Sequence, residues 1–216
     1  MKAAKEPFQF IAASYLIRIR PERSRTLGEL AAHLRSCSAN SVLYHTYQSL
    51  ETHHYSVFSS DFAQWVMAAC NEHALAERLA AVDLRDFVGL EEVRDALASR
   101  VEEHLQSNPD AAATRAFEPF HFCEAIEVTV PLAEQARTLA ELIEGIRRMS
   151  LHTLHYHFIN ARLRLRLQTT DFSHWIATSL EWPDLAVRVD AIDFAPYSLE
   201  DVRGQLIDLL VPWSER

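Results

Sequence analysis

The stretch Pro119-Phe120-His121-Phe122, near the middle of the chain, repeats Pro7-Phe8-Gln9-Phe10 with one change. Further matches follow both points in the same order and with small gaps. The clearest are Tyr44-His45 with Tyr156-His157, and Asp61-Phe62-Ala63-Gln64-Trp65 with Asp171-Phe172-Ser173-His174-Trp175. Self-similarity at a fixed spacing indicates a repeated structural unit. The sequence therefore predicts an internal duplication, present as two tandem copies.

The domain organisation follows from these matches. A first helical repeat module is predicted at 5–105 and a second at 117–213. Between them, residues 106–116 are small and polar around Pro109, which is typical of a linker.

Each copy has the pattern of a helical module. Thr26 with Glu29 three residues later predicts a helix start, and Asp61 precedes another amphipathic stretch. The residues that open the second copy instead alternate apolar and other side chains, from Phe120 to Val130, which predicts a short extended segment. We therefore predict a mainly α fold: two tandem homologous, essentially all-alpha modules that each open with a short extended segment and are related by pseudo-twofold symmetry.

Composition narrows the function classes. The 216 residues carry 21 Lys and Arg against 30 Asp and Glu, a formal net charge of -9, which disfavours nucleic acid and anionic membranes as partners. Three cysteines in apolar surroundings favour a reducing compartment. No glycine-rich nucleotide motif is present, and we expect neither a secretion signal nor a membrane-spanning stretch. We expect a cytoplasmic protein with no cofactor implied; a protein partner, a small ligand and a homo-oligomer all stay open.

The repeated motifs support one resemblance. The opening Phe-x-Phe, a Leu-x-x-Leu helix, Ser-x-x-x-x-x-Tyr-His and Asp-Phe-x-x-Trp resemble the prokaryotic domain-of-unknown-function family number five-seven-five-two, in two tandem copies. That resemblance implies a bacterial type of protein and no assigned activity. The family pattern often has a second His two residues after the first, where this chain has Tyr47 and Ile159, and an Asn before the Asp, where it has Ser60 and Thr170. A site that needs a His-x-His pair is therefore not expected.

The first candidate site combines an imidazole with a carboxylate and aromatic side chains in each copy. Such a set can act as a general base or a metal ligand, or it can be a buried histidine that needs a carboxylate partner. The sequence favours the structural interpretation, and it predicts that any ligand pocket lies in the cleft between the modules. The candidate residues are Tyr44, His45, Asp61, Trp65, Tyr156, His157, Asp171 and Trp175.

Three weaker candidates complete the set. Ser41 is four residues before His45 and, with Asp61, mimics a hydrolase triad without its nucleophile elbow. Arg18 and Arg20 belong to a basic cluster that could bind a phosphate group. The candidate metal ligands all lie in the second copy and are His121, His152, His155 and His174, although no metal motif is present.

These observations leave the reaction, if any, open. We predict a non-enzymatic binding or regulatory module. One alternative is a metal-assisted or His–Asp-dependent enzyme that acts on a small substrate, phosphorylated ones included. A second alternative is an oligomerisation scaffold, which would need an apolar surface around Leu97 and Leu206.

Overall fold

Two long strands are the first departure from the predicted helical fold. In the computed structural model, which describes residues 3–48, 58, 60–165, 168–194 and 197–215, strand β1 runs Phe8–Thr26 and strand β2 runs Arg115–Ala136. Within those residues the strands pair with each other in a two-stranded antiparallel sheet. Each strand has one unpaired edge, which accommodates the prolines at 21, 119 and 131 because proline cannot donate to a ladder.

The remaining described residues are mostly helical. The α-helices are α1 (Leu27–Ser36), α2 (Ala39–Leu43), α3 (Asp61–Cys70), α4 (His73–Ala80), α5 (Leu90–Ser107), α6 (Leu139–Arg148), α7 (Leu151–His155), α8 (Ala161–Leu165), α9 (Asp171–Thr178), α10 (Pro183–Asp190) and α11 (Leu199–Ser214). Short 3-10 turns lie at Leu84–Asp86 and Pro109–Ala113, and π-helical turns at Tyr44–Gln48 and Tyr156–Asn160. Among the described helices, none is both long and apolar enough to cross a membrane.

The fold is therefore mixed α/β, and the prediction of a mainly α protein is wrong. Of the residues that the structure describes, 60% are helical and 21% lie in strands. The predicted short extended segments continue as strands because alternating stretches such as Ile17-Arg18-Ile19-Arg20 suit a pleated ribbon. Pairing with a distant strand then keeps them extended even where their side chains are exposed.

The predicted duplication into tandem modules related by a pseudo-twofold axis is also wrong. The chain is one continuous fold without evident duplication. Its contacts define two compact units: unit 1 is formed by residues 1–15 and 127–216, and unit 2 by residues 16–126. Each strand starts in one unit and ends in the other. The short motif matches correspond to similar local packing within each unit.

Unit 2 is built around helix α5. This helix packs against α1, α2 and α4, and its residues Val93, Leu97 and Val101 are buried. Helix α1 begins as predicted, because the Thr26 hydroxyl accepts the backbone N–H of Glu29 at 3.2 Å. The residues predicted as a linker hold the end of α5 and the 3-10 turn, which contacts α1. The module boundaries at 5–105 and 117–213 stay predictions.

Unit 1 has helix α11 at its centre. It packs against α6, α7 and α10, and Leu206 and Leu210 are fully buried. Because Leu97 in unit 2 is buried as well, the apolar surface that the scaffold alternative needs around Leu97 and Leu206 is not found at these residues.

Candidate functional site

His45 lies in unit 2, in the π-helical turn that follows α2, and its side chain is 3% exposed. Its Nδ1 is 2.8 Å from Oδ2 of Asp61, the first residue of α3. Its Nε2 accepts the backbone N–H of Cys123 on β2 at 2.9 Å. These partners assign the tautomer with the proton on Nδ1, because Nε2 must present a lone pair. Both nitrogens therefore have protein partners.

Aromatic side chains enclose this imidazole. The ring centroids of Phe120 and Phe62 lie 4.7 Å and 5.2 Å from that of His45, and Tyr44 meets it edge-on at 4.8 Å. Trp65 Nε1 donates to the backbone carbonyl of Glu118 at 2.8 Å. Burial raises the pKa of the Tyr44 hydroxyl. The four candidates of unit 2 therefore form one packed cluster under the start of β2.

Unit 1 contains a cluster with the same contacts. His157 Nδ1 is 2.7 Å from Asp171 Oδ2, and its Nε2 accepts the backbone N–H of Ile11 at 3.0 Å. Trp175 Nε1 donates to the carbonyl of Glu6 at 2.7 Å. Tyr156 meets the His157 ring edge-on, with the centroids 5.1 Å apart. The structure thus brings each predicted group of four together within its own unit; the shared cleft stays a prediction.

This geometry limits what the two histidines can do. A general base or a metal ligand needs a free ring nitrogen. In both clusters one nitrogen is bonded to a carboxylate and the other accepts a backbone N–H. Ser41, the serine of the triad hypothesis, makes no hydrogen bond to His45. The triad-like arrangement considered for Ser41, His45 and Asp61 is not formed.

The histidines suggested for a metal lie in different environments. His121, His152 and His174 are exposed, whereas His155 is fully buried. Tyr15 packs edge-on against both His152 and His155. In the part of the chain that the structure describes, no three His, Cys, Asp or Glu side chains are grouped so that they could hold a metal ion.

Sequence reasoning missed a cavity in unit 2, which we name the Ser41 cavity. It has a volume of about 150 Å³ and lies between the strands and the α1–α2 corner. Its charged lining residues are Arg20, Glu22 and Glu124, and its neutral ones are His33, Ser36, Cys37, Ser38, Ser41 and Phe122. Arg20 and Ser41 attracted attention in the sequence for other reasons. Glu124 carries no local signal except that a charged residue follows the apolar Phe-x-Phe stretch.

Glu124 is the most buried charge of the cavity, with 4% of its surface exposed. Its Oε1 accepts the Ser38 hydroxyl at 2.6 Å, and its Oε2 accepts Arg18 Nε at 2.9 Å and Arg18 Nη2. Arg20 Nε is 3.7 Å from Oε1. The Ser38 hydrogen bond, and then the guanidinium groups, lower the pKa of Glu124 against the opposing effect of burial. Glu124 is therefore an ionised carboxylate with protein partners on both oxygens.

Ser41 is a buried residue of the cavity lining whose hydroxyl lacks a partner among the described residues. Its residue is 2% exposed, and its hydroxyl makes no hydrogen bond with any described residue. In unit 1, by contrast, the hydroxyl of Thr153 on α7 lies 3.0 Å from that of Ser150 and accepts the N–H of Ala13 at 3.5 Å. In unit 2 the corresponding capping residue is Ser38, three residues before Ser41. Its hydroxyl donates to the carboxylate of Glu124. Ser41 therefore lacks the contact to the capping serine that Thr153 makes in unit 1.

The uncharged part of the cavity lining includes Phe122, His33 and Cys37. Phe122 is 1% exposed and meets His33 edge-on, with ring centroids 5.5 Å apart. His33 Nδ1 is 2.9 Å from the buried Ser24 hydroxyl. Burial raises the pKa of the Cys37 thiol to about 11, so the thiol stays protonated at neutral pH.

Comparison with known proteins places this fold in a family. The structure of OrfY from Thermoproteus tenax has a TM-score of 0.86 to this chain and 25% sequence identity, over 100% of this chain and 99% of that one. No curated protein matches the sequence. The model of the family described as "Family of unknown function (DUF5752)" matches residues 5–211 as a single copy, so the expected two tandem copies are wrong. The chain belongs to this family of unknown function, DUF5752.

Proposed function

We propose that this chain is a non-enzymatic binding protein that holds a small ligand in the Ser41 cavity of unit 2. The observation that carries the proposal is Ser41, a residue of the cavity lining whose buried hydroxyl has no hydrogen-bond partner among the described residues. A buried polar group left unsatisfied costs about 1–3 kcal/mol. A ligand that reaches this hydroxyl would recover that free energy on binding.

The cavity offers both polar and apolar contacts to a ligand. Small-molecule sites combine apolar walls with a few polar groups that orient the ligand. Here Phe122 gives an apolar wall, and the hydroxyls of Ser38 and Ser41 and the His33 imidazole line the same space. The polar groups are held in place, because Ser38 caps α2 and donates to Glu124.

The chemistry of the same residues supports binding rather than catalysis. Ser41 has no base, because both nitrogens of His45 are bonded elsewhere. The Cys37 thiol, with a pKa of about 11, is a weak nucleophile at neutral pH. The carboxylate of Glu124 already accepts several donors. Ser41, Cys37 and Glu124 therefore supply neither an activated nucleophile nor a free base to the enzyme alternative.

The test is a screen of small compounds by ¹H–¹⁵N correlation spectra of the full chain. We expect saturable shifts of the amides at 20–22, 36–41 and 122–124 with at least one compound. Ser41→Ala should weaken that binding, whereas Ser107→Ala, which removes an exposed hydroxyl bonded to Glu103 O, should leave it unchanged. Binding that shifts other amides only, or no binding at all, would reject the proposal.

A further inference from the structure

We infer that the ligand of the Ser41 cavity is a small uncharged molecule that carries a hydroxyl or amide group. This inference rests on the proposed function and narrows it to a chemical class. It follows from three properties of the cavity: the balance of its charges, its size, and the position of its unsatisfied hydroxyl.

The charges at the cavity already compensate one another. Arg20 Nε and Nη2 each lie 3.2 Å from a carboxylate oxygen of Glu22. Glu124 accepts Arg18 through Oε2 and lies within 3.7 Å of Arg20 through Oε1. Two guanidinium groups therefore face two carboxylates, and the pKa of both carboxylates is lowered, so both are ionised at neutral pH. Among these four described side chains the charges balance, so none of the four offers an unpaired charge to a ligand.

A charged ligand would meet opposition in this site. An anion near Arg20 would lie close to the carboxylates of Glu22 and Glu124. A cation near Glu124 would share oxygens that already accept Ser38 and Arg18, and it would lie close to the guanidinium groups of Arg18 and Arg20. In either case the ligand would lose hydration without gaining an unpaired opposite charge, and charge burial of that kind is strongly unfavourable. An uncharged ligand avoids this cost.

Size and hydrogen bonding define the class further. A volume of about 150 Å³ is close to that of cavities that accept a single benzene ring. Phe122 offers a buried aromatic wall for an apolar part of such a molecule. The Ser41 hydroxyl can both donate and accept, so it matches a hydroxyl or an amide but not a purely apolar group. Phenol has the required size, neutrality and hydroxyl.

A series of probes with matched size tests the inference. Phenol, benzoate, benzylamine and toluene are titrated at pH 7 into the ¹⁵N-labelled full chain, and the shifts at 20–22, 36–41 and 122–124 report occupancy. Phenol is expected to bind at least about tenfold more tightly than benzoate, protonated benzylamine or toluene. Ser41→Ala should weaken the binding of phenol about 3- to 10-fold, which is the effect of one neutral hydrogen bond. The same substitution should leave the affinity for toluene unchanged.

The possible outcomes separate the inference from the proposed function. Tighter binding of benzoate or benzylamine at the same amides would overturn the uncharged class and retain a binding function for the cavity. Equal binding of phenol and toluene, or phenol binding that is insensitive to Ser41→Ala in a variant with an unchanged spectrum, would overturn the role of the hydroxyl. If no probe shifts the cavity amides, the cavity holds water only, and both the inference and the proposed function fail.

Discussion

The His45 imidazole accepts the backbone N–H of Cys123 at 2.9 Å, which joins the π-helical turn after α2 to strand β2 across 78 residues of sequence. The opposite nitrogen of the same ring bonds Asp61 at the start of α3. One neutral imidazole thus holds three elements of unit 2 together. A histidine with this pattern of partners stabilises the fold, and it has no nitrogen left for chemistry.

Replacing this imidazole should destabilise the protein substantially. We expect His45→Ala to lower the free energy of unfolding by about 2–4 kcal/mol, because it removes a buried ring, the acceptor of the Cys123 N–H and the hydrogen bond to Asp61. The measurement is urea unfolding followed by far-UV circular dichroism. The matched control is His121→Ala on β2, an exposed histidine whose loss should change stability by no more than about 0.5 kcal/mol. Equal effects of the two substitutions would contradict the structural role of His45.

Ionisation of Glu124 should make stability depend on pH in a defined window. The pKa of Glu124 lies below its ordinary value of 4.5 in the folded protein, first because of the Ser38 hydrogen bond. A lowered folded-state pKa means that the ionised group stabilises the fold fully above its unfolded-state pKa. That contribution disappears as the pH falls through the lower, folded-state pKa. We expect Glu124→Gln to lower the free energy of unfolding by about 1–3 kcal/mol at pH 7. This loss should become smaller as the pH falls below 4.5.

Urea unfolding of wild type and Glu124→Gln at several pH values between 7 and 3 measures this difference. The subtraction removes the effects of all other groups, because both proteins share them. Glu118→Gln, at an exposed carboxylate on the same strand, serves as the control and should give a small difference at every pH. A difference between wild type and Glu124→Gln that grows on acidification would have the wrong sign for a lowered pKa.

Thiol reactivity offers a test of burial in unit 2. Burial raises the pKa of Cys37 to about 11 and that of Cys70 to about 12, and it also raises the pKa of Cys123. Only the thiolate reacts with iodoacetamide. At pH 8 we expect Cys37 in the folded protein to react roughly two orders of magnitude more slowly than an unperturbed thiol. Mass spectrometry of labelled peptides, with and without 8 M urea as a reagent, gives the rates; labelling of Cys37 at the rate seen in urea would show that its thiol is not buried.

Local features of the fold were predictable from the sequence, and long-range ones were not. The caps at Thr26 and Ser38 could be predicted because each acts on residues three positions ahead. The length of β1 could not, because its exposed half is held extended by pairing with β2. The prediction of tandem modules failed for the same reason, because each strand pairs with a strand that is distant in the sequence.

The candidate sites divide in the same way. The pairing of His45 with Asp61 could be predicted from two motifs that occur together twice. The bond from Cys123 could not, because a backbone N–H has no sequence signature. The Ser41 cavity could not be predicted, because it depends on the tertiary position of β2. The sequence identifies Ser38 as a helix cap, but it does not show that the Ser38 hydroxyl also donates to Glu124 on β2.

Two glycines within helices of unit 1 should respond in opposite directions to alanine. A Cβ at Gly145 in α6 would overlap the Phe10 ring, whereas a Cβ at Gly204 in α11 would meet nothing within 4 Å. Gly204→Ala should therefore stabilise the protein by about 0.5–1 kcal/mol, the usual gain from lower backbone entropy in a helix. Gly145→Ala should destabilise it by about 1–3 kcal/mol, because overpacking outweighs that gain. Urea unfolding measures both, and Phe10→Leu provides the rescue: in that background Gly145→Ala should cost less, as a coupled pair requires. If Gly145→Ala instead stabilised the fold as Gly204→Ala does, the Phe10 ring could not occupy the space beside Gly145.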